Sequence, residues 1–236
     1  RSVARKSRWL AAQSTKDPGA RVKALAEFVQ PEGKSYFYFA AALREIVQSG
    51  AVGGQVLREE AERPAQMKHR RDFLMALGKC GDPMAVPYFL ALVERSAKVV
   101  RAKGPIHDSA LTEEERTALE DWGTAIYVLS DLPDMRAVQA FREALCWGAV
   151  NWDCAGNRIL EPAARGLQRL PDPQNLPFLA EALSTIPASE YDWVAVYDCL
   201  LALRDHRYQE AVPILAEQLK YPAKPKSDHD PVEYNA

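Results

Sequence analysis

The residue types that most often carry chemistry are present in this chain but not grouped. His69, His107, His206 and His229 lie far apart, and none stands at ligand spacing from another histidine or a cysteine. A metal site is therefore not expected. No glycine-rich phosphate loop, no G-x-S-x-G and no H-E-x-x-H occurs, so phosphoryl transfer, serine hydrolysis and zinc proteolysis are left without a motif. The expectation is no catalytic set, no metal and no cofactor.

The chemistry of recognition is better provided for. Between Cys146 and Cys154 the chain carries Trp147 and Trp152, and two tryptophans in a short connection either pack between neighbouring elements or anchor a partner. Glu190-Tyr191-Asp192-Trp193 opens the following stretch in the corresponding neighbourhood. Exposed together, the two sets would make an aromatic, acid-flanked strip. Arg101, Lys103 and His107 crowd an aperiodic segment, residues 98–111, and long aperiodic loops in a compact array often carry function. Arg142 stands where a helical stripe calls for an apolar residue; it either pairs with an acid of the next unit or reaches onto a binding face. Trp147, Trp152, Tyr191, Trp193, Arg142, Arg101, Lys103 and His107 are thus the candidate binding residues.

The elements that must position them are legible as a repeat. Arg70/Phe73/Leu74/Leu77, Trp122/Ala125/Ile126/Leu129, Leu160/Ala163/Ala164/Leu167 and Val196/Cys199/Leu200/Leu203 share one i, i+3, i+4, i+7 template. Nine residues after each, a second stripe begins: Val86/Phe89/Leu90/Val93, Val138/Phe141/Arg142/Leu145, Leu176/Leu179/Ala180/Leu183 and Val212/Leu215/Ala216/Leu219. Both stripes have the helical period. One such pair cannot bury its own apolar faces, so the pairs must stack.

Residues 1–65 fit the template more loosely. Val22/Leu25/Ala26/Val29 matches the second-helix set, and Tyr36/Phe39/Ala40/Leu43 the first. Val52 then opens a second helix that Gln55 and Glu59 spoil. The count is six helix pairs, two of them degenerate, in a single domain over residues 1–220, with a tail at 221–236. The basic run Lys68-His69-Arg70-Arg71 reads as a solvated helix face.

Turn chemistry supports the pairing. Asp17-Pro18, Asp82-Pro83 and Asp172-Pro173 put a carboxylate where it can accept the orphan N–H groups of the next helix, and Asp134 keeps that register without its proline. Pro87 would cost a hydrogen bond in a helix already regular at Pro83, so that helix is expected to settle near Ala85. Thr112-Glu113-Glu114-Glu115 reads as a capping box.

The run from Leu77 to Phe89, with its Asp-Pro turn and Val86-Pro87 start, and its echo from Leu167 to Leu179 resemble the HEAT and HEAT-like (PBS-lyase-type) repeat family. The resemblance covers residues 66–220 well. It implies an all-α, right-handed α-solenoid of about six antiparallel helix pairs, whose second helices line a concave face used to bind proteins. Family members that hydroxylate a modified lysine use His-Glu pairs as iron ligands, and this chain has no His-Glu dipeptide. Bilin lyases of this type hold tetrapyrroles, and no local residue set here supports that chemistry. HEAT-like DNA glycosylases use Trp and Asp on a basic face. Trp122, Trp147, Trp152 and Trp193, with Asp121, Asp153 and Asp192 beside three of them, could mimic that set.

Charge speaks against the last reading. The chain of 236 residues carries a net charge of −2; residues 1–120 hold 20 Lys/Arg against 15 Asp/Glu, and residues 121–236 hold 10 against 17. The tryptophans thus sit in the acidic half, where phosphates would be repelled. A non-enzymatic protein-binding scaffold or adaptor is the expected function. A nucleic-acid enzyme of glycosylase type and a substrate-positioning domain of a larger enzyme are the alternatives. No apolar run is long enough to span a membrane, and four cysteines make no disulfide framework. The compartment expected is the cytoplasm, although the chain opens at Arg1 rather than Met, as a processed end or a segment of a longer protein would.

Overall fold

The computed structural model describes residues 2–29, 36–63, 68–102, 111–151, 157–170, 172–186, 193–205 and 207–218. Over these the chain is all-α: twelve helices and no strand. They are α1 Ser2–Ser14, α2 Pro18–Ala26, α3 Tyr36–Gln48, α4 Ala51–Ala61, α5 Arg70–Leu77, α6 Ala85–Arg101, α7 Glu113–Asp131, α8 Val138–Val150, α9 Asn157–Arg169, α10 Leu176–Thr185, α11 Trp193–Asp205 and α12 Val212–Gln218.

The turns explain where the second helices begin. Asp17 accepts the Ala20 N–H at 2.7 Å, Asp134 that of Arg136 at 2.9 Å and Asp172 that of Gln174 at 2.9 Å. Asp82 accepts from Met84 at 3.0 Å, and α6 starts at Ala85 with Pro87 in its first turn. Each carboxylate thereby satisfies a donor that has no intrahelical partner. At α7 the capping box closes in both directions between Thr112 and Glu115.

Packing follows the stripes. The odd-numbered helices α3, α5, α7, α9 and α11 meet their neighbours in one row, and α8, α10 and α12 meet in another. Between the rows α4 packs on α5, α6 on α7, α8 on α9 and α10 on α11. The first-helix stripes of α5, α7 and α9 are wholly buried, Trp122 and Phe73 among them. On α6, α8 and α10 the stripes are buried except Val86, Leu90 and Arg142, which are half-buried.

Three sequence expectations are corrected. The α4 stripe is not spoiled but displaced by one residue: Gly53, Val56, Leu57 and Glu60 are buried, while Val52 is 43% exposed and Gln55 and Glu59 face out. Gly53 and Gly54 hide this register because they carry no apolar side chain, yet they allow close approach. A Cβ on Gly54 would collide with the Asp82 carboxylate, which Arg58 also pairs with. Secondly, the segment 98–111 is not aperiodic from its start, because α6 continues through Arg101 with Val100 buried.

Thirdly, Arg70 is no solvated face. It is 7% exposed. Its Nε donates to both Asp121 oxygens at 2.8 and 3.0 Å, and its Nη1 to the Ala61 carbonyl. Lys68 and Arg71 do face solvent.

Candidate binding groove

Helix α8 has two faces. Val138, Phe141, Ala144, Leu145, Gly148 and Ala149 are buried toward the core. Gln139, Arg142, Glu143, Cys146, Trp147 and Val150 recur at i, i+3, i+4, i+7, i+8 and i+11, a second stripe of the same period. That second stripe forms one wall of a groove of about 460 Å³, completed by Arg101 from the end of α6, Asn151 after α8 and Phe178 of α10. A second hollow of about 410 Å³ lies between α6 and α8, with Leu90, Val93, Ala97 and Ala140 inside and Glu94, Lys98 and Arg136 around it. The two share Arg101, Gln139 and Glu143, so they adjoin, and together they form a channel across α6, α8 and α10 that the Arg101–Glu143 pair interrupts.

Arg101 divides the channel. Its Nη1 donates to Glu143 Oε2 at 2.9 Å, and its guanidinium lies 5.1 Å from the centre of the Trp122 ring. Gln139 donates to the other Glu143 oxygen at 2.9 Å. Burial works to raise the Glu143 carboxyl, but the hydrogen bonds from Gln139 and Arg101 and the Arg101 charge outweigh it and hold it below its ordinary range. Glu143 is therefore ionised at neutral pH. Both side chains are part-exposed, so the attraction contributes at most about 1 kcal/mol.

Arg142 takes the acid-pairing alternative. Its Nη2 reaches Asp172 Oδ2 at 3.0 Å and its Nε reaches Asn175 Oδ1 at 2.9 Å, while its guanidinium lies 4.9 Å from the Phe178 ring centre. The residue that broke the apolar stripe thus joins α8 to the turn before α10. It also forms part of the groove wall.

Trp147 is half-buried, its ring centre 5.0 Å from that of Trp122. It packs and lines the groove at once, so the two readings of this tryptophan are not exclusive. Val150, at the end of the same stripe, is 58% exposed. Among the described residues Cys146 has no disulfide partner; burial pushes its thiol up from its ordinary value and the Glu181 charge adds to that, so as a thiol at neutral pH it presents a small apolar surface.

Of the eight candidate residues, Arg101, Arg142 and Trp147 come together in this groove. Trp152, Tyr191, Lys103 and His107 lie outside the described residues, and of Trp193 only the backbone, at the start of α11, is described. Cys154 likewise lies outside them, and with it any bridge to Cys146. Sequence reasoning missed Gln139, Glu143, Val150, Asn151 and Phe178. The first three were findable as the second stripe of α8, but Phe178 enters from another helix.

The Trp-Asp sets weighed for nucleic-acid chemistry fare differently. Trp122 is 0% exposed and Asp121 is engaged by Arg70, so this pair is structural. Asp153 and Asp192 lie outside the described residues. Among the described residues no three His, Cys, Asp or Glu side chains converge as metal ligands, and no helix is long and apolar enough to cross a membrane. Compared with family models, with curated proteins and with solved structures, the chain matches none.

Proposed function

We propose that this chain is a HEAT-like, right-handed α-solenoid that works as a non-enzymatic scaffold, binding a protein segment in the channel across α6, α8 and α10. The observation that carries this reading is the second stripe of α8. Its six residues combine an aromatic, an aliphatic, a thiol and three polar groups on a face that is half-buried to exposed, which is the composition of an interface centre with a polar rim. Support for the solenoid comes from the two rows of helices, each pair meeting the next. Three successive pairs supply the channel walls, so the surface is preorganised and its ordering costs little on binding.

The test is site-specific photo-cross-linking in an extract of the source cells. A photoreactive residue at Val150 should yield a protein adduct, whereas the same residue at Tyr197, 58% exposed on α11, should not. Equal labelling at both positions, or none, would overturn the reading.

A further inference from the structure

We infer that the occupant of the channel is an acidic peptide segment bearing one bulky apolar side chain; this deepens the scaffold reading and rests on it. Charge complementarity is the first ground. Lys98, Arg101, Arg136 and Arg142 line the channel with Glu94 and Glu143, and Asp134, Asp172 and Glu181 stand at its edge beside Arg136, Arg142 and Cys146, so the complementarity lies in the cationic donors left unspent rather than in net charge.

The free donors point the same way. Arg136 is tied to Asp134 and Arg142 to Asp172. Arg101 uses only Nη1, toward Glu143. Among the described residues its Nε and Nη2, the Nη1 of Arg142 and the Lys98 ammonium have no hydrogen-bond partner. Unspent guanidinium donors at a rim are suited to carboxylates.

The second ground is the apolar end. Trp147, Val150 and Phe178 meet there with Cys146, and none of the four is fully buried. A hollow of about 460 Å³ admits a Phe or Leu side chain with room for the backbone that delivers it. A duplex would use the cations but not this end, since its recognition needs a row of phosphate contacts; a single strand would stack bases on Trp147 and Phe178, and an oligothymidylate probe separates that occupant from a peptide. The anchor fixes the segment; its flanking carboxylates reach Arg101 on one side and Lys98 beyond it.

The experiment is a fluorescence-anisotropy titration of the full chain with four labelled probes: a polyglutamate peptide with one central Phe, the same peptide with central Ala, a polylysine peptide with central Phe, and oligothymidylate. The Phe-centred polyglutamate should saturate the protein, bind at least tenfold more tightly than its Ala-centred sister, and weaken with added salt. Val150→Gln and Arg101→Gln should each weaken it five- to tenfold, while Tyr197→Glu leaves it unchanged. A thermal melt of each variant establishes that it folds.

Tighter binding of the polylysine peptide, still sensitive to Val150→Gln, would overturn the acidic assignment and leave the scaffold reading intact. Binding of every peptide insensitive to Val150→Gln would overturn the assignment of this channel. Tighter binding of oligothymidylate, or a self-association that Val150→Gln abolishes, would give the channel to a nucleic acid or a second copy and overturn the inference.

Discussion

Arg142 on α8 and Asp172 in the turn before α10 stand 3.0 Å apart, so the second helix of one pair holds the turn of the next. Arg58 on α4 holds Asp82, in the turn before α6, in the same manner. Both aspartates also cap the turn they belong to. A side chain read as a local cap thus also ties its turn to the helix two places before the one it caps. Replacing Arg142 and Asp172 by alanine, singly and together, should give a coupling energy of about 1 kcal/mol by urea unfolding. Additive single effects would mean the tie contributes nothing.

Gly54 is where α4 accepts that tie at closest range. Gly54→Ala gains helix propensity, about 1 kcal/mol, yet places a methyl on the Asp82 carboxylate. The steric term should win, with a net loss of about 1–2 kcal/mol. In an Asp82→Gly background, which removes the Asp82 Cβ as well as its carboxylate, the sign should reverse toward stabilisation. Equal effects in both backgrounds would show that the contact is not what limits the site.

The start of α7 offers a cleaner local test. Thr112→Ala removes the acceptor for the Glu115 N–H and should cost about 1 kcal/mol, whereas Thr112→Asp should be nearly neutral. Chemical denaturation of the two variants distinguishes the cap from a general intolerance of substitution at Thr112.

Acid should find the glutamate ties. At Glu45, Glu62 and Glu143 burial acts to raise the carboxyl, but hydrogen bonds and arginine charges prevail and leave each below the ordinary 4.5. Their folded-state values are depressed, so their contribution is complete above about pH 4.5 and is lost as pH falls through the lowered values. The thermal midpoint should therefore not change on account of these groups between pH 7 and 5.5 and should drop below pH 4.5. Arg101→Gln should shrink the drop by releasing Glu143. A drop of the same size in that variant would remove Glu143 from the explanation.

What the sequence made legible was the repeat itself, because an i, i+3, i+4, i+7 stripe is written in side-chain types. Trp122, Phe141 and Leu179 are buried where their spacing puts them, and the Asp-Pro turns cap as their chemistry requires. The stripe of α4 escaped notice because Gly53 and Gly54 bury backbone rather than side chains, and Glu60 is a buried charge. The candidate site was half visible. Arg142 announced itself by interrupting a stripe and Trp147 by its size, but the face of α8 that unites them mixes polar and apolar residues and so has no hydropathy signature. Phe178 meets Arg142 from 36 positions along the chain, a distance no local pattern encodes.

The central claim is that the groove face of α8 meets a protein, and photo-cross-linking from position 150 measures it most directly. A single protein adduct from Val150, absent from Tyr197 and diminished by Arg101→Gln, is the expected result. Adducts of equal yield from both positions, or nucleic acid alone captured at Val150, would contradict it.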